Sequence, residues 1–216
     1  MKKVAVILAG CGVYDGAEIN ESVLTLLHLA KQGASYQCFA PDIMQMHTIN
    51  HLTGEEEATN RNVLVEAARI ARGDIKALSA LNVDEFDALL VPGGFGAAKN
   101  LSDFAVKGAD MTVQAEVLAS CQAFAQANKP AGYMCIAPAL LPKVYGQGVQ
   151  GTIGTDADTA AAFNALGGDH QQRAVDEIAI DEQRKVVSTP AYMLAESLVE
   201  ADAGISKLVA QVLKMA

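Results

Sequence analysis

Three places in this 216-residue chain put chemistry-bearing residues where a short apolar run stops abruptly. After Ala131–Met134 comes Cys135-Ile136-Ala137-Pro138. A strand that ends at Cys and turns at once into a helix has the geometry of a nucleophile elbow. Its side chain is exposed on a strained turn, and the next N–H faces the reacting oxygen. A helix N-terminus also stabilises a thiolate, and Pro138 fits the first helical turn, where its missing N–H costs nothing. On these residues alone Cys135 also reads as a small side chain filling a core gap, because it lacks the flanking glycines of G-x-S-x-G. After Ala88–Val91 comes Pro92-Gly93-Gly94-Phe95-Gly96. Here the backbone can approach a ligand, and the Gly94 N–H either serves as an oxyanion donor or belongs to an ordinary strand exit. After the first apolar run comes Ala9-Gly10-Cys11-Gly12, and then Glu18 and Glu21 near the start of a helix, where acids are favoured in any protein.

Other chemistries are excluded. Gly10–Gly12 is too short for a dinucleotide fingerprint, no acidic residue follows a second strand at the right place, and there is no P-loop. Cys11, Cys38, Cys121 and Cys135, with His28, His47, His51 and His170, show no metal-type spacing. No cofactor and no metal are expected. A formal charge of −9 argues against nucleic acid as a partner. No run reaches the roughly 18 apolar residues needed to cross a bilayer, so no membrane partner is expected. Lys2-Lys3 followed by Val4–Ala9 is shorter than a signal-peptide core of about 7–15 residues. A cytosolic chain is therefore expected, in which an even number of cysteines does not imply disulfides.

The elements that must position these residues follow from the apolar pattern. The chain is 51% hydrophobic and 5% aromatic, which suits one α/β domain cored by Val, Ile, Leu and Ala and excludes disorder for most of it. Strands are expected at Lys3–Leu8, Tyr36–Ala40, Asp74–Leu78, Ala88–Val91 and Ala131–Cys135. Helices are expected at Ile19–Gln32, Arg61–Arg72, Thr112–Asn128, Ile136–Lys143 and Asp156–Leu166. Ile178–Ile180 and Lys185–Val187 suggest a hairpin, and Leu194–Met215 one long helix or two broken at Gly204. Strands alternating with helices imply right-handed crossovers and a mostly parallel sheet, with ligands beyond the strands' carboxyl ends. Asp42–Asn60 is polar and long for a connection, so it is functional or an insertion.

Several of these segments resemble a known family. They are Gly10-Cys11-Gly12-Val13-Tyr14-Asp15-Gly16, Gly16–Val23, Asn50-His51-Leu52-Thr53-Gly54, Arg61–Ile70, Pro92–Leu101, Met134–Pro138 and Thr189-Pro190-Ala191-Tyr192-Met193. Together they resemble the ElbB-type glyoxalases, isoprenoid-biosynthesis proteins with an amidotransferase-like domain, in the Parkinson-associated deglycase/PfpI superfamily. The resemblance runs from about residue 3 to 214. It implies a flavodoxin-like three-layer sandwich of the class I glutamine-amidotransferase type, a single domain over 1–216 with an insertion at about 42–73. It implies Cys135 as nucleophile, Glu21 as its acidic partner, and Gly94 and Ile136 as the oxyanion N–H groups. It also implies a small dicarbonyl substrate and a homodimer. Two histidines of the superfamily are missing: Ile136 stands where peptidase-like members carry one, and Ile153-Gly154-Thr155 where deglycase-like members carry the other.

Two readings follow. In the first, the chain is a slow, cofactor-independent glyoxalase converting glyoxal to glycolate through Cys135. In the second it is a redox-responsive or partner-binding protein, with Cys11 as resolving thiol. His51 or His170 is allowed as a distant replacement for the missing imidazole. The segment Asp42–Asn60 should approach the mouth near Cys135 or build a dimer contact. The expected charge state is a low-pKa Cys135 thiolate accepting a hydrogen bond from neutral Glu21, the two titrating as one coupled pair.

Overall fold

The computed structural model describes residues 1–216, and the chain alternates strands and helices almost throughout. In chain order the elements are β1 (Lys3–Ile7), α1 (Ile19–Lys31), β2 (Ser35–Ala40), α2 (Val63–Ile70), β3 (Ile75–Ala77), β4 (Ala88–Val91), α3 (Phe95–Lys99), α4 (Phe104–Lys107), α5 (Ala115–Gln126), β5 (Ala131–Met134), α6 (Leu141–Tyr145), β6 (Gln150–Gly151), α7 (Ala157–Ala165), β7 (Asp169–His170), β8 (Ala179–Asp181), β9 (Val186–Thr189) and α8 (Leu198–Met215). The main sheet has the order β3-β2-β1-β4-β5-β9-β8, and β6 pairs β7 in a separate small ladder. Every pairing in the main sheet is parallel except β8 with β9, the expected hairpin. The inner order β2-β1-β4-β5-β9 is the flavodoxin arrangement, and the chain reverses direction across the sheet between β1 and β4.

The strands form because their residues are apolar on both faces. Val4–Ile7, Ala88–Val91 and Ala131–Met134 are wholly buried, as strands covered on both sides must be. Neighbours in β5 point to opposite faces and show what covers each. A side chain at Gly132 would meet Leu208 and Val212 of α8. Tyr133 instead packs its ring edge-on to Tyr145 of α6, with ring centres 6.4 Å apart. Helices therefore lie on both faces, in three layers. On one of them α1 is joined to α8 by His28 Nε2, 2.6 Å from Asp202 Oδ1.

Most helix ends are set by local chemistry. Asn62 caps α2 by accepting from Val65 N, Asp156 caps α7 by accepting from Thr159 N, and Ser197 caps α8 by accepting from Glu200 N. That last cap starts the final helix later than its apolar spacing suggests, and the helix runs unbroken through Gly204. The helix expected directly after Cys135 begins instead as a single 3-10 turn, Ala137–Leu140, before α6. The short α3 and α4 lie in a stretch read only as a strand exit.

The segment 42–60 is tied down by bridges between Met44 and Asn62 and between Ile49 and Glu56. It packs over the loop that follows β1. Asp15 Oδ2 accepts from Ile49 N at 2.8 Å, and the buried Asn100 ties three pieces together. Its Nδ2 donates to Ala9 O and Asp15 O, both at 2.9 Å, and its Oδ1 accepts from Met46 N at 3.0 Å.

Candidate active site

The carboxyl ends of β1, β4 and β5 converge on one point. Cys135 sits just past β5 with φ of 61°, the left-handed region that L side chains rarely adopt. Holding a non-glycine residue there costs about 1–3 kcal/mol. Cys135 N donates to Thr189 O at 3.1 Å, so the β5–β9 ladder continues into the elbow and holds it. Beside it the chain leaves β4 through Gly93 and Gly94. A Cβ on Gly93 would overlap that of Cys135 and come within 2.9 Å of Glu21 Oε2. Gly94 has φ of 89°, and a Cβ there would run into Glu18 N. Only glycines allow this approach.

Glu21 projects from the first turn of α1 and is completely buried. Its Oε2 accepts from Gly93 N at 2.8 Å and its Oε1 from Tyr192 N at 3.2 Å. The carboxyl and the Cys135 thiol are close enough to shift one another's pKa. The backbone N–H groups of Gly94 and Ile136 lie close enough to the sulfur to favour its charged form. Glu18 sits three residues earlier as the α1 N-cap, its Oε2 accepting from Glu21 N at 2.6 Å. The four expected residues Cys135, Glu21, Gly94 and Ile136 are thus in one place.

Burial sets the charge. It pushes Glu21 up to about 8, helped by the charge of Glu18 and opposed by the N–H groups of Tyr192 and Gly93. It also pushes Cys135 well above the ordinary thiol range, and the charge of Glu21 adds to this. The N–H groups of Gly94 and Ile136 pull the other way without prevailing. The expected low-pKa thiolate is therefore corrected. A 3-10 turn of four residues is a weak dipole, while desolvation acts on the whole charge. At neutral pH the pair keeps both protons, and it titrates as a unit.

Cys135 opens into a cavity of about 290 Å³. Its apolar wall includes Val13, Phe95, Ala98, Phe104, Ile136 and Met193, and its polar lining is Glu18, Thr159 and Tyr192. Tyr192 was missed as a site residue. Its signal was the Thr189–Met193 segment at the end of β9, the strand beside β5, where the topology puts ligand contacts. Glu18 was assigned no role in the site; it caps the helix and also lines the cavity.

No histidine lines the cavity. His51 stacks on Tyr14 with ring centres 4.8 Å apart. One neutral tautomer suits both its contacts, with Nδ1 donating to Ile49 O at 3.0 Å and Nε2 accepting from Tyr14 N at 3.3 Å. His170 Nε2 accepts from Ile153 N at 3.2 Å. Both rings are occupied in structural bonds, so neither replaces an imidazole. Cys11 does not line the cavity either. Burial raises its thiol, and its charged neighbours are Glu66, Arg69 and Asp15. All four cysteines are free. The segment 42–60 contributes no residue to the cavity wall. It reaches Tyr14 and the far side of Phe95, where Ile49 and Gly54 line a separate shallow hollow.

No protein-family model matches the chain. It is 48% identical over 223 residues to the glutamine amidotransferase-like class 1 domain-containing protein 3, mitochondrial, of Homo sapiens, covering 99% of this chain and 83% of that protein. It is 47% identical to the ES1 protein homolog, mitochondrial, of Rattus norvegicus, covering 99% and 84%. Among solved structures, an isoprenoid biosynthesis protein with amidotransferase-like domain from Ehrlichia chaffeensis is 34% identical, with a TM-score of 0.93 over 100% of this chain and 99% of that one. A DJ-1 superfamily protein from Salmonella typhimurium shares the fold at a TM-score of 0.59 and 20% identity, over 99% and 91%. The mitochondrial location in the relatives' names overturns the expectation of a cytosolic chain. That expectation rested on the lack of a long apolar stretch, and organelle address segments are amphipathic rather than apolar.

Proposed function

Because this chain belongs to the ES1 family of glutamine amidotransferase-like class 1 proteins, we propose that its site is enzymatic: a cofactor-independent glyoxalase that adds water to glyoxal to give glycolate. One observation carries the reading. A thiol, a fully buried carboxyl group and the N–H groups of Gly94 and Ile136 meet at a pocket whose lining holds no imidazole. Glyoxal chemistry is an internal redox shift between adjacent carbons, so one carboxyl group that gives and takes protons suffices.

The working form is the pair with one proton left. The Glu21 carboxylate takes the Cys135 thiol proton as Sγ adds to one aldehyde carbon. The N–H groups of Gly94 and Ile136 hold the developing oxyanion, and Glu21 delivers its proton to it. The Glu21 carboxylate then takes the C–H proton of the hemithioacetal and returns it to the neighbouring carbon through an enediol, leaving a thioester. Water cleaves the thioester, with Glu21 accepting its proton, and glycolate leaves. A covalent intermediate divides one hard step into easier ones. Because burial raises both groups, turnover is slow at neutral pH and rises as the pair loses its first proton near pH 8.

The test is glycolate formation from glyoxal, measured for the wild type and Cys135→Ala. Glycolate from the wild type alone is the expected result. Equal turnover by Cys135→Ala, or none by the wild type between pH 7 and 9, refutes the reading.

A further inference from the structure

The cavity over Cys135 is larger and more apolar than a two-carbon dialdehyde requires. It encloses about 290 Å³. Liquid water occupies roughly 30 Å³ per molecule, so roughly ten non-hydrogen atoms fit. Glyoxal supplies only two carbons and two oxygens, leaving room for about six more atoms. That room is walled by apolar side chains, with Phe95, Phe104 and Met193 the largest. No lysine or arginine lines it, so it has no counter-charge for an anionic tail. Lys99, on the same short helix as Ala98, is engaged elsewhere. Its Nζ donates to Tyr14 O at 3.0 Å and lies 5.2 Å over the Phe95 ring. The one acid on its wall, Glu18, offers nothing to attract an anion.

We propose that the site selects 2-oxoaldehydes bearing an uncharged apolar substituent of about six carbons, an aryl or branched alkyl group, over glyoxal itself. This rests on the glyoxalase reading of Cys135. Sγ adds to the aldehyde carbon, the hydrogen of that carbon passes to the adjacent ketone carbon, and water releases a 2-hydroxy acid. The aldehyde carbon is oxidised to a carboxyl group and the ketone carbon is reduced to an alcohol, so no outside oxidant or reductant enters. A single methylene in an apolar pocket is worth roughly tenfold or more in specificity, so a ring filling the cavity gives at least about tenfold in kcat/KM.

The test has two arms on the full chain. The first compares kcat/KM for phenylglyoxal and glyoxal, and phenylglyoxal should exceed glyoxal by at least about tenfold. The second follows alkylation of Cys135 by phenacyl chloride and by chloroacetamide against reagent concentration. The phenacyl rate should saturate while the chloroacetamide rate stays linear. Ala105 lines the cavity from an exposed position on α4, so Ala105→Trp fills it without disturbing the core. That variant should abolish saturation of the phenacyl rate. A glyoxal preference refutes the proposal, and so does a linear phenacyl rate or saturation that survives Ala105→Trp. Absence of turnover on either aldehyde removes the glyoxalase reading and these substrates with it, while the labelling arm still decides whether the cavity selects apolar ligands.

Discussion

Replacing Glu21 with Gln should make Cys135 more reactive and the enzyme less active. Glu21 is fully buried, and its charge is the second cause that raises the Cys135 thiol, after desolvation. Two unit charges about 4 Å apart repel by about 4 kcal/mol at an effective dielectric of 20. One pKa unit is about 1.4 kcal/mol, so even a third of that repulsion shifts the thiolate fraction about tenfold. Gln removes the charge, and its amide can donate to sulfur, so both changes favour the thiolate. The side chain then offers one oxygen to the two N–H groups of Gly93 and Tyr192 where Glu21 offered two. The variant should therefore lose about 1–3 kcal/mol of stability while remaining folded. The assay is iodoacetamide labelling of Cys135 between pH 6 and 10, read by mass, with glyoxal turnover measured on the same preparations. The labelling curve of Glu21→Gln should lie at lower pH than wild type, with labelling at least about tenfold faster above about pH 8, where wild-type Glu21 carries its charge. Turnover should collapse, because an amide cannot shuttle a proton. An unmoved curve, or one shifted to higher pH, refutes the account of how Glu21 governs the thiol. A wild-type curve centred at the ordinary thiol value of about 8.5 contradicts the burial argument.

Three further outcomes follow. The Glu21 carboxyl is raised from an ordinary 4.5 to about 8, so the folded state holds a proton that the unfolded chain has lost. Its stabilisation is complete below about pH 4.5 and is lost as pH rises through about 8; urea midpoints should fall across that window in wild type and flatten in Glu21→Gln. Gly93→Ala places a methyl on Cys135 Cβ and within 2.8 Å of Met134 O, so it should cost about 1–3 kcal/mol in chemical unfolding and slow Cys135 labelling. Asn100→Ala orphans Ala9 O, Asp15 O and Met46 N, so it should cost about 1–3 kcal/mol and raise amide hydrogen exchange at Met46 and Ile49.

The sheet was legible in the apolar pattern of the chain. Strands buried on both faces must be continuous apolar runs, so β1, β4 and β5 were legible to within a residue or two. An apolar run that stops at Cys or at Pro-Gly-Gly marks the strand ends where ligands bind in an open parallel sheet. The pairing of Cys135 with Glu21, Gly94 and Ile136 came from resemblance to a family, and no local spacing carries it. Tertiary structure alone decided the rest. Tyr192 reaches Glu21 through its backbone N–H, which any residue type could supply, so composition gives no sign of it. His51 and His170 looked available because their partners, Tyr14 and Ile153, lie 37 and 17 residues away. Cys11 follows the strand beside β4, yet two of its three charged neighbours, Glu66 and Arg69, come from α2, whose packing no nearby residue announces. The charge on Cys135 was misread for the same reason. A helix start can be seen along the chain, but desolvation depends on everything that closes over the sulfur, and that is fixed only when α1, β4, β5 and β9 meet.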